Sequence, residues 1–520
     1  KKMKKKNIAL VLAALMAAAA VTGCGGGADA RETKQVTVAK EGYPVVDEKI
    51  TINAVGYGDP GGGEWEEFPI FKELEEKTNV EVNWTTVSGD GADEKLNLLL
   101  ASSKELPDAV FSGLSTTKIV TYAEKGLIRP IEDLIDGGYA PNLKKILDEN
   151  PEIRKAITMP DGHIYAVPSI NEDEEPVMTT TLNINKDWCD ALGVKVEDIK
   201  TVDDFKNLMD RFVNEDPNGN GEKDEIGFTL EPVAPYHVWN GDANFSGMWG
   251  ISTDYDPIMV KDGEIVCSVI QPEYKDYIIW FRDMYTGGLI DKECFTHDHN
   301  QYMAKIDSGN VGAYLTNGPV TSAQANFVAI APLEGPAGAH WGSLDFSIDK
   351  GRGLITTTNP YPEATMRFID SFYEPETSLN LRYGVYLQAS GEQYEILPTE
   401  SGKSAQAPGS YVATNLSKEV TEKYVVKTEE QIQGAERKEL YGPYLLEPLP
   451  LMNYTPEDSS DLSSLSADLT KVISEQKAKW CTGQGDIETE WDSYIESLNK
   501  MGLEKYMEIQ NTAYDRYMGS

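Results

Sequence analysis

The residues with the clearest chemistry form a stretch rich in Asp, Asn and Gly, Asp216–Glu225, with the sequence DPNGNGEKDE. Side-chain oxygens recur at its first, third, fifth and ninth places, and Gly221 stands at the sixth, as in the calcium-binding loop of an EF-hand. Oxygens two residues apart on a tightly curled loop converge on one point, and the glycine allows the sharp turn. The predicted Ca²⁺ ligands are Asp216, Asn218, Asn220, the Glu222 carbonyl, Asp224 and Glu225.

The loop departs from the EF-hand pattern at its last place. The twelfth position is Gly227, so the usual bidentate glutamate is missing, and Glu225 is the nearest replacement. The same residue types also favour an ordinary solvated turn, which is the alternative interpretation. Because only one such loop is found, we expect a structural Ca²⁺ that holds the loop in place and takes no part in catalysis.

The elements before this loop alternate between strand and helix. Their apolar residues recur with a period of two or of about 3.6, which distinguishes the two kinds of element. The predicted elements are a strand at Lys49–Val55, a helix at Phe68–Thr78, a strand at Val80–Val87, a helix at Ala92–Ser102 and a strand at Leu106–Phe111. Strands separated by helices need right-handed crossovers, which give a largely parallel sheet.

A second unit of the same kind surrounds the loop. It begins with a strand at Thr179–Ile184 and a helix at Lys186–Leu192. The helix Thr201–Asn214, whose first residue is the N-cap, precedes the loop, and the strand Ile226–Leu230 follows it. Near the end of the chain, Trp491–Tyr517 has an amphipathic helical pattern that should pack onto one of the units. These patterns predict an α/β protein.

The N-terminus predicts export. Five lysines precede the apolar run Ile8–Ala20, which is too short to span a bilayer and has the form of a secretory signal. The run ends in Val21–Cys24 (VTGC), which resembles the lipobox of bacterial lipoproteins. This resemblance implies a signal peptide over 1–23 and a lipid on the Cys24 thiol, whereas an ordinary signal peptide with a chance cysteine is the alternative. Residues 24–48 are small and polar, and we expect them to form a tether.

Charge and length limit the classes of function. The 520 residues include 47 Lys and Arg against 85 Asp and Glu, a net charge of −38. This balance argues against nucleic-acid partners, since a protein that neutralises phosphates needs a basic face. At roughly 150 residues per domain, the length predicts two to four domains or lobes. The cysteines after Cys24 form no Cys-x-x-Cys pair, and a bridge between Cys267 and Cys294 stays open.

Several further segments follow one another in a specific order. They are Leu106–Phe111 (LPDAVF), Gly126–Pro130 (GLIRP), Asp161–Pro168 (DGHIYAVP), Asn185–Trp188 (NKDW), Gly309–Pro319 (GNVGAYLTNGP), Pro332–Gly338 and Trp491–Tyr517. In this order they resemble the extracellular solute-binding proteins of bacterial ABC importers, in the carbohydrate-binding branch. The DPNGNG loop adds a similarity to sugar-binding lipoproteins of Gram-positive bacteria and to alginate-oligosaccharide-binding proteins, whose calcium ligands match the set given above.

The resemblance implies a fold, a function and a location. The fold would be α/β with two lobes of the periplasmic-binding-protein kind, hinge strands and a helical C-terminal extension. Lobe one would comprise 49–178 and 318–375, and lobe two 179–317 and 376–520. We expect a monomeric receptor, not an enzyme, lipid-anchored on the extracellular face of the cytoplasmic membrane. It would capture an oligosaccharide by hinge closure and deliver it to an ABC permease.

The sugar-binding expectation directs attention to aromatic residues in irregular sequence. Sugars present apolar C–H faces and rings of hydroxyls, so a site needs flat aromatic platforms beside carboxylates and amides. Ligands of open α/β sheets sit beyond the carboxyl ends of strands. The predicted ligand contacts are Tyr57, Asp59, Trp65, Trp239, Asn240, Trp249 and Trp341. Core packing would explain any single one of these tryptophans equally well.

Two other functions remain as alternatives. A surface glycoside hydrolase needs two carboxylates about 5 to 9.5 Å apart, which a chain with 85 acidic residues will satisfy somewhere. A lipoprotein that binds peptides or metal ions is the other, with Cys294, His297, Asp298 and His299 as conceivable metal ligands. A His-Asp-His loop without a fourth ligand is more often solvated surface.

Overall fold

The computed structural model describes residues 34–58, 62–89, 91–101, 106–112, 114–171, 180–231, 241–252, 257–316, 324–342, 348–398, 403–427 and 429–519. The chain divides into a unit ending at Val36 and a compact unit from Thr37 to Ser520. In the first unit the described residues 34–36 adopt neither helix nor strand.

The strands carry the labels β1 to β14 in chain order. They are β1 Ile50–Gly58, β2 Val80–Ser88, β3 Ala109–Phe111, β4 Ala166–Ile170, β5 Thr181–Asn185, β6 Ile226–Thr229, β7 Ile258–Lys261, β8 Glu264–Cys267, β9 Val311–Thr316, β10 Phe327–Ile330, β11 Ile348–Ile355, β12 Leu387–Ser390, β13 Gln393–Ile396 and β14 Val425–Val426.

The α-helices of six or more residues carry the labels α1 to α16. They are α1 Pro69–Thr78, α2 Ala92–Ala101, α3 Thr116–Glu124, α4 Pro141–Glu149, α5 Pro151–Ile157, α6 Lys186–Ala191, α7 Val202–Asn214, α8 Pro272–Thr286, α9 His299–Asp307, α10 Pro362–Asp370, α11 Pro375–Tyr383, α12 Lys418–Tyr424, α13 Glu429–Tyr441, α14 Pro456–Cys481, α15 Ile487–Lys500 and α16 Leu503–Gly519. A helical turn at Glu132–Leu134 leads into a π-helical turn, Ile135–Tyr139.

The first sheet has the order β2-β1-β3-β11-β4. Strands β1, β2 and β3 run parallel, and β11 runs antiparallel between β3 and β4. All five residues of β4 are buried, as expected for a strand covered on both faces. Because β1 to β4 point in one direction, their carboxyl ends lie at one edge of the sheet, together with the amino end of β11.

The second sheet has the order β10-β5-β9-β6. Strand β9 is parallel to β6 and antiparallel to β5, which is in turn antiparallel to β10. The carboxyl ends of β6, β9 and β10 therefore share one edge with the amino end of β5. Two smaller sheets lie elsewhere: β12-β13-β14, and the hairpin β7-β8, whose turn places Asp262 and Gly263 at positive φ, as a type I′ turn requires.

The chain passes between the two sheets at the edges just described. It leaves the carboxyl end of β4 and enters the amino end of β5, then returns from the carboxyl end of β10 to the amino end of β11. The two crossings make these edges face a common junction between two α/β lobes, and we call them the cleft edges. This arrangement confirms the predicted two-lobed α/β fold.

The C-terminal helices belong to the core of the second lobe. Leu469 and Trp480 of α14, Leu498 of α15 and Tyr506 of α16 are buried in the same hydrophobic cluster as Phe228 of β6. The amphipathic pattern predicted over Trp491–Tyr517 is divided between α15 and α16. The division falls at Gly502, whose φ of +100° interrupts a helix and favours glycine.

The segment before β1 is packed against the fold. Val45 and Val46 are buried, and the buried Arg367 donates to the carbonyls of Ala39 (3.0 Å) and Gly42 (2.9 Å). The predicted tether over 24–48 differs from this arrangement, because its described residues from 37 onward are held by hydrogen bonds that small polar sequence does not reveal.

Two segments pack outside the lobe that the predicted boundaries assign to them. Thr414, placed in lobe two by the prediction, hydrogen-bonds to Ser169 of β4 in the first sheet. Strand β10 pairs with β5, so Phe327–Ile330 lies in the second sheet although the boundary at 318 assigns it to lobe one. A four-residue strand carries too little periodicity to reveal its partner. The described helices include no segment long and apolar enough to cross a bilayer.

The cysteines Cys189, Cys267, Cys294 and Cys481 are buried free thiols, so the bridge left open between Cys267 and Cys294 is not formed. Burial raises the pKa of the Cys267 thiol to about 11 and also raises that of Cys294. Thiols with raised pKa values are poor nucleophiles and poor metal ligands, so these side chains serve as small apolar residues.

Candidate functional site

The Asp216–Glu225 loop connects α7 to β6. Helix α7 begins in a capping box, in which Thr201 Oγ1 accepts from the Asp204 amide and Asp204 accepts from the Thr201 amide, each at 3.0 Å. After the helix, Asp216 turns the chain with a φ of +48°. Its two carboxylate oxygens accept from the amides of Asn220 and Gly221, both at 3.1 Å. The side-chain oxygens of the loop thus point towards its own interior.

Asp224 lies at the centre of the side-chain contacts in this loop. Asn220 Nδ2 donates to Asp224 Oδ1 at 3.0 Å, and Asn310 Nδ2 donates to Asp224 Oδ2 at 2.8 Å. Hydrogen bonds from Asn220, Asn218 and Asn310 lower the pKa of Asp224. Asn310 stands just before β9, far from the loop in sequence, so the spacing pattern could not include it.

The donor set of the loop fits a hard cation. Glu225 Oε1 is buried and lacks a hydrogen-bond partner within the described residues, which a bound cation would supply. The predicted set combines three carboxylates, those of Asp216, Asp224 and Glu225, with two Asn amide oxygens and one backbone carbonyl. The described residues contain no group of three His, Cys, Asp or Glu side chains already placed to hold a metal. A set made of oxygens alone suits Ca²⁺ better than a thiolate- or imidazole-seeking metal.

The loop is remote from the cleft edge of its own sheet. The Ile226 amide donates to the Asn310 carbonyl at 2.8 Å, where β6 and β9 begin. Both strands end at the cleft edge, so the loop and the cleft edge occupy opposite ends of the same parallel pair. An ion here would fix the start of the two strands without touching a ligand in the cleft.

A buried charged cluster occupies the cleft edge of the second sheet. Asp291 directly follows Ile290, which pairs with Phe228 of β6. Its Oδ2 accepts from Lys305 Nζ at 2.7 Å and from Thr229 Oγ1 at 3.0 Å. His297 Nδ1 lies 3.4 Å from the same oxygen. Burial alone would raise the pKa of Asp291, but the hydrogen bonds from His297 and Lys305 lower it well below its ordinary value. The carboxylate is therefore ionised throughout the physiological range.

The conceivable metal ligands of this region have separate partners. Asp298 is the N-cap of α9, where it accepts from the Gln301 amide. His297 faces Asp291, whereas His299 Nδ1 lies 3.1 Å from Glu231 Oε2. The residues that sequence grouped as one metal-binding loop are thus divided between a helix cap and two histidine–carboxylate pairs.

Three of the predicted ligand-stacking tryptophans are buried in this structure. Trp65 is 1% exposed and packs against Phe71 and Trp84, with ring centroids 5.4 and 5.0 Å apart. Trp249 packs 5.1 Å from Trp280. Trp341 is fully buried and its Nε1 donates to the Thr180 carbonyl at 2.9 Å. Aromatic side chains of the protein pack against all three indoles, and sugar stacking by them stays a prediction.

Tyr57 is the predicted ligand residue that the structure places beside the first cleft edge. It is the penultimate residue of β1 and is half-buried, with its ring 5.2 Å from that of Tyr411. Tyr411 was missed by the sequence analysis, because nothing in its Pro- and Ser-rich surroundings indicates that it returns to β1. The remaining predicted residues, Asp59, Trp239, Asn240 and Cys24, lie outside the described residues.

Comparison with known proteins assigns the family. The model of the family described as bacterial extracellular solute-binding protein matches residues 70–384, more than half of the chain. The chain belongs to this family of solute-binding proteins. The match begins in α1 and ends just after α11, so it includes the second sheet and every strand of the first sheet except β1.

The similarity of this solute-binding protein to its relatives extends along most of the chain. It is 35% identical over 483 residues to the fructooligosaccharide ABC transporter substrate-binding protein FusA of Streptococcus pneumoniae, covering 87% of each chain. The structure of FusA in complex with kestose superimposes with a TM-score of 0.74, at 32% identity, over 90% of this chain and all of the other. A FusA EF-hand mutant in complex with fructo-nystose superimposes equally well, at 31% identity and the same coverage.

Two more distant relatives extend the comparison. Lipoprotein LipO of Bacillus subtilis is 21% identical over 99% of both chains. The alginate-binding protein AlgQ2, solved without calcium ion, superimposes with a TM-score of 0.65 at 22% identity over 90% of this chain and 98% of the other. At 22% identity, the likeness to AlgQ2 supports the fold alone.

Proposed function

We propose that this solute-binding protein is the receptor of an ABC importer and that it captures a fructo-oligosaccharide or a closely related oligosaccharide. The observation that carries the proposal is the 35% identity to FusA over 87% of both chains. The receptor would bind its sugar without changing it and hand it to the transmembrane subunits of the permease.

Hinge closure is the mechanism that the fold supports. Two crossings join the cleft edges of the sheets, and a third connection leads from Thr414, which contacts β4, to Tyr441, which contacts β5. The lobes can rotate about these connections while each sheet stays intact. A sugar that contacts both lobes binds the closed form more tightly than the open form, and this difference shifts the population towards closure. The permease would recognise the closed form.

The proposed contacts with the sugar come from the ends of strands in both lobes. Tyr57 is available at the end of β1, and Asp59 follows it in the sequence. In the second lobe we propose Trp239 as a stacking platform and Asn240 as a hydroxyl partner. A stacking role for Trp65, Trp249 or Trp341 would require their present aromatic neighbours to move, so we place these three last among the candidates.

Titration calorimetry and thermal shift of residues 25–520 test the receptor function. Kestose and nystose are the first probes, with alginate oligosaccharides and maltotriose as comparisons. A sugar at 100 times its Kd should add about 2.7 kcal/mol to the free energy of unfolding. Chromatography of the sugar after the experiment should return it intact. Cleavage would support the hydrolase instead, and the absence of binding to any of these sugars would contradict the proposal.

We further propose that the Asp216–Glu225 loop holds a structural Ca²⁺, through Asp216, Asn218, Asn220, the Glu222 carbonyl, Asp224 and Glu225. The orphan oxygen of Glu225 supports this, as does the existence of an EF-hand in FusA. Removing Ca²⁺ with a chelator should lower the melting temperature without abolishing the fold. Asp224→Ala should remove this response, whereas Asp198→Ala, on an exposed turn of the same lobe, should preserve it. An unchanged melting temperature on chelation, with no ion found by elemental analysis, would contradict the site.

The location we propose is the outer face of the cytoplasmic membrane, with a lipid on Cys24 and the receptor monomeric. The VTGC sequence and the likeness to lipoprotein LipO support this. Cells that produce Cys24→Ala should release the protein into the medium, and mass spectrometry should find acyl groups on the wild-type N-terminus. Light scattering of residues 25–520 should give the mass of one chain; a dimer would refute the monomer.

A further inference from the structure

Strand β11 is interrupted by a β-bulge where it runs alongside β4. Asp349 pairs with Ser169, the penultimate residue of β4. The next pair is Gly353 with Val167, so the three residues 350–352 stand opposite one residue of β4 and form the bulge. Bulges bend a strand, re-aim its side chains and are common beside functional sites.

The bulge lies at the cleft edge of the first sheet. Ser169 is one residue from the carboxyl end of β4, and the amide of Leu114, just beyond β3, donates to the Gly351 carbonyl at 3.1 Å. A Cβ on Gly351 would collide with the Leu114 carbonyl, so glycine is needed for this approach. The bulge therefore stands beside the carboxyl ends of β3 and β4, and open α/β sheets bind ligands outside such ends.

Asp349 and Arg352 form an ion pair across the bulge. Arg352 Nη2 donates to Asp349 Oδ2, and the Gly351 amide donates to Asp349 Oδ1 at 3.4 Å. The Arg352 side chain is 13% exposed and the Asp349 side chain is 37% exposed. The pair thus reaches the surface of the cleft edge, mainly through the carboxylate.

The pair has hydrogen-bonding capacity beyond its own contact. A guanidinium carries five N–H donors, and an ionised carboxylate has about four acceptor positions. Within the part of the chain that the structure describes, Asp349 is the partner of the guanidinium, and Arg352 Nε is buried without a hydrogen bond. Because buried polar groups are nearly always hydrogen-bonded, this donor indicates that a further polar molecule completes the arrangement at the bulge.

Neighbouring contacts hold the bulge in place. Lys350 Nζ donates to Asn453 Oδ1 at 2.7 Å, and Asn453 Nδ2 donates to the carbonyls of Ala156 and Thr158, both at 2.8 Å. Together with the bond to the Gly351 carbonyl, these contacts fix the bulge from two sides. A contact that discriminates between ligands needs such support, because movable groups adapt to any ligand.

The charges of the pair favour neutral sugars over acidic ones. A sugar hydroxyl both donates and accepts, so one hydroxyl can donate to the Asp349 carboxylate while its neighbour accepts from the Arg352 guanidinium. The opposite charges of the pair balance each other. A uronate unit in the same position would place its carboxylate beside that of Asp349, and these like charges would repel.

We propose that Asp349 and Arg352 hydrogen-bond to hydroxyls of the bound oligosaccharide from the first lobe, and that this balanced pair selects neutral sugars over sugars that contain uronate. The inference rests on the proposed oligosaccharide function. It adds a polar, charged contact to the lobe for which the sequence suggested Tyr57, Asp59 and Trp65.

The first lobe also contains a matched control pair at the opposite edge of its sheet. Arg154 Nη2 lies 2.8 Å from Asp136 Oδ1, and the two side chains are 31% and 51% exposed. The Ile131 amide donates to the Ile164 carbonyl at 2.8 Å, so the segment leading to Asp136 lies beside the amino end of β4. The chemistry of the two pairs is alike, whereas their placement differs.

The experiment is a calorimetric titration of kestose, nystose, maltotriose and an alginate oligosaccharide into residues 25–520 of the wild type and five variants. Hydrogen bonds to charged groups are strong, so Arg352→Gln and Asp349→Asn should each weaken kestose binding about 10- to 100-fold. Arg352→Lys keeps the charge beside Asp349 but loses the planar fork, so it should weaken binding less. The controls Arg154→Gln and Asp136→Asn should bind like the wild type.

The ratio of two affinities is a readout that a purely structural role would not move. Asp349→Asn leaves the positive charge of Arg352 unbalanced, so the ratio of the alginate Kd to the kestose Kd should fall by about 10-fold or more. Asp136→Asn should leave this ratio unchanged. Thermal melts show which variants are folded, and Arg352→Lys, which retains the ion pair, provides the comparison if Arg352→Gln does not fold.

The outcomes separate this inference from the proposed function. If the wild type binds kestose, and folded Arg352→Lys and Asp349→Asn bind it as tightly, the inference is overturned and the receptor function stands. A wild type that binds the alginate oligosaccharide more tightly than kestose also overturns the inference alone. If the wild type binds none of the four sugars, the proposed function fails and the inference fails with it.

Discussion

Each of the two sheets has an enclosed lysine near its cleft edge, and the two lysines are neutralised differently. Lys305, in the second lobe, lies 2.7 Å from Asp291 and 2.8 Å from Glu293. Lys350, on β11 of the first sheet, donates to the carbonyls of Leu451 (2.8 Å) and Met452 (3.0 Å) and to Asn453 Oδ1 (2.7 Å). One amino group faces carboxylates, and the other faces neutral oxygens.

The difference appears in the direction of the two pKa shifts. Burial opposes the charge of Lys305, but hydrogen bonds and charges from Asp291 and Glu293 outweigh it and raise the pKa. Burial lowers the pKa of Lys350 to about 7, and the nearby Asp349 opposes this only in part. Carboxylates therefore fix the charge of the second lobe's lysine. Carbonyl dipoles satisfy the first lobe's lysine but leave its charge sensitive to pH near neutrality.

The largest effect should come from removing the charge of Asp291. Asp291→Asn leaves Lys305 and His297 beside a neutral amide, and breaking a buried pair costs about 3–5 kcal/mol of the free energy of unfolding. Urea denaturation measures this loss. Asp190→Asn is the control, because Asp190 makes an exposed i,i+4 pair with Lys186 and should lose less than about 0.5 kcal/mol. Equal losses in the two variants would contradict the comparison.

Removing the amino group of Lys350 should have a smaller effect. Lys350→Met deletes the donor to three oxygens that then lack a partner, but it leaves no unpaired charge behind. We expect a loss of about 1–3 kcal/mol in urea denaturation at pH 7, below that of Asp291→Asn. A loss greater than that of Asp291→Asn would show that Lys350 is held as a full charge.

The pH dependence of stability should distinguish the two lysines. The folded pKa of Lys350, about 7, lies below the ordinary 10.5, so above pH 7 the unfolded chain binds more protons and the free energy of unfolding rises with pH. This contribution amounts to about 1 kcal/mol between pH 7 and 8. It should be present in the wild type and in Lys305→Met and absent in Lys350→Met.

Neither Lys305 nor Asp291 changes its charge over the same range of pH. The raised pKa of Lys305 means that its contribution is lost only as pH rises through that raised value, and the lowered pKa of Asp291 means that its contribution is lost only as pH falls below about 3.8. If the free energy of unfolding of Lys350→Met still rises between pH 7 and 8, the rise has another origin, which would contradict its assignment to Lys350.

The smallest effect should come from the exposed partner of Lys305. The Glu293 side chain is 69% exposed, so solvent screens its ion pair, and Glu293→Ala should cost less than about 0.5 kcal/mol. Urea denaturation of Glu293→Ala and of Asp291→Asn compares the free energies of unfolding lost on removing an exposed and a buried carboxylate of one cluster. A loss above about 1 kcal/mol in Glu293→Ala would mean that solvent exposure does not decide how much Asp291 and Glu293 each contribute to stability.

The sequence predicts elements whose periodicity is strong and misses those decided by distant partners. Helix α7 appears with its expected N-cap, and β1, β2 and α1 lie within a few residues of their predicted positions. Strand β11, IDKGRGLI, was not predicted, because two glycines and alternating charges carry no strand pattern. Its place between β3 and β4 supplies the partners that sequence cannot show.

The candidate sites follow the same division. Loop spacing predicted a calcium-binding loop, which stays a prediction, whereas Asn310 was not included, because its contact with Asp224 joins distant segments. Tryptophans in Gly- and Asn-rich sequence suggested exposed platforms. The glycines instead allow close packing of these residues: a Cβ on Gly56 would lie 2.3 Å from the Trp65 ring, and one on Gly247 would lie 2.6 Å from the backbone of Trp341.

The position of β11 also bears on the order in which the chain can acquire its structure. Val110 of β3 pairs with Leu354 of β11, and Ala166 of β4 pairs with the same residue. Until the chain has been extended as far as β11, β3 and β4 lack the strand that joins them in the sheet. Contacts this distant in sequence slow folding. A chain that emerges from its amino end would thus remain incompletely folded until more than half of it is free.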